Sequence, residues 1–142
     1  MTNLDPANIF YRDTGLDPVR TERLVADALA GCDDGELFLQ HAASESFAFD
    51  DGRLKAATFN TEQGFGLRGV AGETTAYAHA NELSDAAILR AADTIKVVRA
   101  GHGGNAALGG PPRTNARLYT DADPLSAVPF AQKVALLQQI EP

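Results

Sequence analysis

Apolar positions change their period several times along the chain, and each change marks an element. In "GLDPVRTERLVADALAGCDDG", Leu24, Val25, Ala28 and Leu29 recur at helical spacing. Asp17 is placed to cap that helix, Pro18 fits its first turn, and Gly31 stands where a left-handed C-terminal residue is expected. The preceding "PANIFYRDTG" reads as helix or loop. The period then drops to two. Phe47 and Phe49 lie on one face before Asp51-Gly52, and Leu54 and Ala56 alternate after it, which is a strong hairpin signal. Residues 36–49 read as one long strand or two. "GFGLRGV" and "TTAYAHA" predict a second hairpin around Ala71-Gly72-Glu73. Helical spacing returns after Ser84 with Ile88, Ala91, Ala92, Ile95 and Val98, and Gly101 ends that helix. A Gly/Pro/Asn-rich segment follows, then a short helix with Phe130, Val134 and Leu137 on one face.

The expected fold is α+β. An antiparallel-rich sheet of four or five strands, with room for a parallel pair, carries helices on one face, followed by an extended arm and a short C-terminal helix. The expected organisation is an α+β domain over 1–100, a linker or arm over 101–128 and the start of a helix over 129–142. A linker leading into one amphipathic helix predicts a larger protein with a further domain.

Composition narrows the function. The 142 residues suit one domain with a core. The net charge of −7 and the scatter of the 12 Lys and Arg residues disfavour a nucleic-acid-binding surface. No apolar run is long enough for a membrane helix. "MTNLDPANIF" has no secretory pattern, and one cysteine excludes an internal disulfide, so a reducing cytoplasm is expected.

Candidate chemistry is sparse. Gly64, Gly66 and Gly69 spell G-x-G-x-x-G, but that motif binds a dinucleotide only where a strand precedes it and a helix begins at its last glycine. Here another strand follows, so the glycines read as sites of bulge, twist or close backbone approach. His41, His79 and His102 form no helical metal pair, although His41 and His79 both fall on strands. Cys32 precedes Asp33 and Asp34, which blunt a thiol's reactivity. The acids at 33–36 and 49–52 read as turn residues rather than as a calcium or magnesium site, and Ser44 and Ser46 have no base beside them.

One longer constellation carries more. Gly35-Glu36-Leu37-Phe38-Leu39-Gln40, Glu45-Ser46, Gln63-Gly64-Phe65-Gly66-Leu67-Arg68, Gly72-Glu73, Ala76-Tyr77-Ala78 and Ser84 together resemble the N-terminal signature of the TldD/PmbA family, long described as modulators of DNA gyrase and similar to zinc metallopeptidases. The pattern looks closer to TldD than to PmbA (also called TldE), and the likeness runs from the first helix to "KVALLQQI". The resemblance implies a longer parent that pairs with a PmbA/TldE-like subunit and trims peptides and unfolded segments. In the family zinc is held by an H-E-x-x-x-H helix in a following part of the protein. This chain has no His-Glu pair, so no catalytic or metal-binding role transfers to any of its residues, and it is expected to be inactive alone.

The resulting expectation is an N-terminal domain that helps wall the substrate cleft and contacts the partner subunit. Zinc belongs to the full-length parent. Arg68, Gly69, Tyr77 and the segment Gly69–Thr75 are the cleft-facing candidates, with ordinary sheet surface as the alternative. The rival functions are a free-standing adaptor and a gyrase modulator acting through protein contacts. A detached domain is expected to expose an apolar patch near Phe130–Ile140 and to self-associate through it.

Overall fold

A computed structural model describes residues 4–12, 14–99 and 120–140. Gly101, His102 and most of the expected linker lie outside the described residues, as does the side chain of Val98. A π-helical turn, Asn8–Arg12, opens the described chain. Helix α1 spans Pro18–Leu29. Strands β1 (Asp34–Asp50), β2 (Arg53–Ala71) and β3 (Thr74–Ala80) follow, then helices α2 (Asp85–Arg99) and α3 (Phe130–Ile140).

The helix boundaries obey local chemistry. The Asp17 carboxylate accepts from the Arg20 amide at 2.8 Å and caps α1, and Gly31 takes φ 86° just past its end. The Ser84 hydroxyl accepts from the Ala87 amide at 3.1 Å and caps α2. The two helices are tied at their N-terminal ends by an Arg20–Asp85 ion pair of 2.8 Å.

The sheet is an antiparallel meander in the order β1-β2-β3. Three strands, not four or five, are present among the described residues, and no pair is parallel. The expected count split what the chain keeps whole. β1 runs unbroken through 34–50, and the polar stretch from Asn60 to Gln63 stays in β2 because β1 supplies its hydrogen-bonding partner. Asp51 and Gly52 have φ 52° and 66°, the pair of positive values a type I′ turn requires. At the second turn only Gly72 is positive (φ 58°), so its lack of a Cβ is what admits that backbone. The register shifts by one between Ala48/Ala56 and Phe49/Leu54, leaving Lys55 as an extra residue bulged from β2.

Alternation gives the sheet two unlike faces. Leu37 and Leu39 of β1, Phe65 and Leu67 of β2, and Ala76 of β3 face α1 and α2. There they join Leu29, Cys32, Ala87, Ile88, Ala91, Ala92 and Ile95 in one core. Beyond the end of β3 the β1–β2 hairpin continues alone for about 35 Å at ordinary strand rise. Helix α3 lies against this outer part. Its Lys133 ammonium donates to the Glu45 carboxylate and to the Leu125 carbonyl, and Phe130 packs on Phe47 at a centroid distance of 5.5 Å. The approach to α3 is tied back to the start of the chain, where the Leu4 amide donates to the Asp121 carbonyl at 2.7 Å.

Candidate functional site

Among the described residues no helix covers the second face of the sheet. Across it run rows of paired residues: Glu36, Arg68 and Tyr77, then Phe38, Gly66 and His79, then Gln40 and Gly64, then Ala42 and Glu62. Because Gly64 and Gly66 present no side chain, the middle strand sinks between its neighbours. The result is a trough of about 620 Å³ lined by Phe38 and Gln40 on one side and by Tyr77 and His79 on the other.

Backbone packing requires the glycine at Gly64, whereas at Gly66 an exposed ring fills the space. A Cβ at Gly66 would stand 2.4 Å from the Tyr77 hydroxyl oxygen, so that ring lies directly over the strand. A Cβ at Gly64 would stand 2.6 Å from the Ala80 carbonyl oxygen. Tyr77 stacks on His79 with ring centroids 5.8 Å apart and an interplanar angle of 27°. Phe38 and Tyr77 are each 61% exposed, an unusual state for two large rings on one sheet face.

Arg68 anchors the next row. Its guanidinium donates through Nε to Glu36 at 2.9 Å and through Nη2 to Asp34 at 2.8 Å. The hydrogen bond from Arg68, aided by the Gly35 amide, holds the Asp34 carboxyl below its ordinary value, and the hydrogen bonds to Asp34 and Glu36 raise Arg68. A depressed carboxyl stabilises the fold above its unfolded-state pKa, and that contribution is lost as pH falls through the folded-state value. Replacing Arg68 by Gln is expected to move the Asp34 titration upward, toward the ordinary carboxylate range. Carboxyl ¹³C shifts followed against pH check this, and an unmoved Asp34 would show that the ion pair does not form in solution.

The sequence candidates separate on the structure. Arg68 and Tyr77 are direct cross-strand partners on the open face. Gly69 lies on the helix side, where a Cβ would stand 2.6 Å from Ile95 Cγ2 and 3.2 Å from Cys32 Sγ. His41 and His79 fall on opposite faces and do not meet. The acidic pairs at 33–36 and 49–52 sit at opposite ends of the hairpin, about 50 Å apart at ordinary strand rise. Asp33 instead accepts from the Gly72 amide at 2.6 Å. Among the described residues no three His, Cys, Asp or Glu side chains gather as a metal site, and none of these residues offers zinc a ligand set. No helix among them is long and apolar enough to cross a membrane. Sequence reasoning passed over Phe38, His79 and Glu62 as members of one site. The signal was the two-residue alternation: with Leu37 and Leu67 inward, these positions turn outward with Arg68 and Tyr77.

These features define an α+β meander domain with one packed sheet face and one open face. Residues 35–101 match the family described as PmbA/TldA metallopeptidase domain 1. Over that stretch the chain is similar to the first domain of TldD/PmbA proteins. It is 28% identical over 113 residues to a protein of Haemophilus influenzae named metalloprotease TldD homolog, an alignment covering 77% of this chain and 23% of that protein. A protein of the same name from Buchnera aphidicola (subsp. Schizaphis graminum) is 32% identical over 66 residues, covering 46% of this chain and 14% of the relative. The chain thus spans less than a quarter of the length of either relative.

Proposed function

We propose that this chain is the substrate-cleft and partner-contact domain of a TldD-like zinc metallopeptidase that trims peptides and unfolded segments. It is not catalytic by itself. The observation that carries the reading is the one-sided sheet. Its helix side is a packed core, whereas its other side presents exposed aromatic rings around a trough, next to backbone with no strand beside it. β3 pairs with only residues 65–71 of β2, so β2 outward of Phe65 has a free edge on that side among the described strands. An extended peptide binds such an edge through main-chain hydrogen bonds, which tolerate many sequences, as a trimming enzyme requires.

The partner-contact half of the reading is supported by α3. Phe130 (56% exposed), Leu136 (57%) and Ile140 (68%) keep large apolar side chains in solvent, and Phe59 on the hairpin does the same. Apolar surface of this kind on a helix strapped to a projecting hairpin suits burial against the PmbA/TldE-like subunit or the metal-bearing domain.

Within the parent peptidase, Tyr77→Ala is expected to raise KM for an unfolded peptide about fivefold while kcat stays within about twofold, because it removes one aromatic binding contact and no reacting group. Tyr77 is mostly exposed, so its loss leaves the fold intact. Steady-state kinetics on a fluorogenic unfolded substrate decide the matter, and an unchanged KM removes this face from the cleft.

A further inference from the structure

The trough has a charge pattern that selects its occupant. Among the residues lining it, Glu62 alone carries a carboxylate and there is no Lys or Arg. Glu62 has no basic partner among the described residues, and it is exposed on the same face as Phe38 and Tyr77. The nearest guanidinium on that face, Arg68, is already engaged by two carboxylates. Two exposed rings therefore border the trough, with Tyr77 lying over Gly66, and Glu62, unpaired among the described residues, stands at one end. Gly66 and Glu62 are about 13 Å apart along the strand, room for an extended arginine or lysine side chain to lie along the trough and meet the carboxylate. The π faces of Phe38 and Tyr77 favour a cation over a neutral group, and the chain's formal charge of −7 attracts a basic segment from a distance.

We infer that the trough is a specificity pocket for a basic side chain, arginine above lysine, of an unfolded peptide. The planar guanidinium lies in the trough between the exposed rings and the Glu62 carboxylate. This rests on the cleft reading above and adds to it a preference among substrates.

The test uses the 142-residue chain and three peptides that differ at one central residue: arginine, its neutral isostere citrulline, or glutamate. Binding is followed by the amide signals of Gly64, Gly66 and His79 in two-dimensional NMR. The arginine peptide is expected to bind about five- to twentyfold more tightly than the citrulline peptide, and the glutamate peptide most weakly, since an ion pair and a cation–π contact each contribute at the exposed-site scale. Glu62→Gln, an exposed strand substitution, is expected to shrink the arginine–citrulline difference to about twofold or less. If arginine and citrulline peptides perturb the trough with equal affinity, the cleft reading stands and the basic-side-chain preference is wrong. If no peptide perturbs it, both fall. Perturbation of the same amides by raising protein concentration without peptide would assign the trough to a second copy and overturn the inference. A difference that survives in Glu62→Gln overturns the role of the carboxylate.

Discussion

Leu67→Ala is expected to cost the domain about 3 kcal/mol, the middle of the range for truncating a fully buried leucine. Leu67 is 0% exposed and sits in the middle strand, opposite Leu37 on one side and Ala78 on the other, under the two helices. Removing its isobutyl group opens a void bordered by three elements that are held in place by other contacts, so collapse into it is limited. In urea the unfolding midpoint should fall by about 2 M if the slope is typical of a small domain. A change below about 1 kcal/mol would show that the strand does not pack as described, because even a partly collapsing site costs more than that.

Gly35→Ala should cost nearly as much, about 2–3 kcal/mol, through crowding instead of a void. The backbone at Gly35 does not take positive φ, so left-handed strain plays no part. The obstacle is steric. An added Cβ would stand 2.5 Å from Leu29 Cδ2, 2.8 Å from Leu29 Cδ1 and 2.8 Å from the Arg68 carbonyl oxygen. Leu29 is itself only 1% exposed and closes the C-terminal end of α1 against the sheet. The side chain has no free space to move into, and the carbonyl belongs to β2. A double-mutant cycle with Leu29→Ala separates the two obstacles: coupling well away from zero identifies the leucine, and the residual cost identifies the carbonyl. Full additivity would mean that α1 does not approach β1 here.

Much of this fold is written locally. Asp17, Pro18 and Gly31 delimit α1, Ser84 starts α2, and Asp51-Gly52 turns the long hairpin, because each residue acts on backbone within four positions of itself. The glycines of "QGFGLRG" were legible as strand glycines, and β2 runs through all three. The unequal ends of the sheet were harder to foresee. How far β1 and β2 remain paired past β3 depends on cross-strand partners, so polar residues such as Asn60 and Thr61 look like loop when taken alone. Arg68 and Tyr77, named together from the sequence, are cross-strand partners on the open face. Gly69 was assigned with them by proximity in sequence, yet alternation puts it in the core. Leu54 and Ala56 were expected to stay in step after the turn, but the bulge sends them to opposite faces, and no glycine or proline marks it in the sequence.

That bulge governs something remote from it. The Asp51–Gly52 turn by itself pairs Asp50 with Arg53 and Phe49 with Leu54. Continued unchanged, the same pairing would bring Leu37 opposite Gly66 and Glu36 opposite Leu67. Leu37 and Leu67 would then occupy opposite sides of the sheet, because a slip of one residue exchanges the faces. The single uncounted residue, Lys55, advances β2 by one and restores Leu37 to Leu67. The solvent-exposed lysine thus acts as a phase corrector at one end of the hairpin for a core that assembles about 40 Å away. In evolutionary terms, length changes near the hairpin tip are tolerable only in steps that preserve this parity. A tip that contacts nothing in the core is therefore held to a fixed residue count by it.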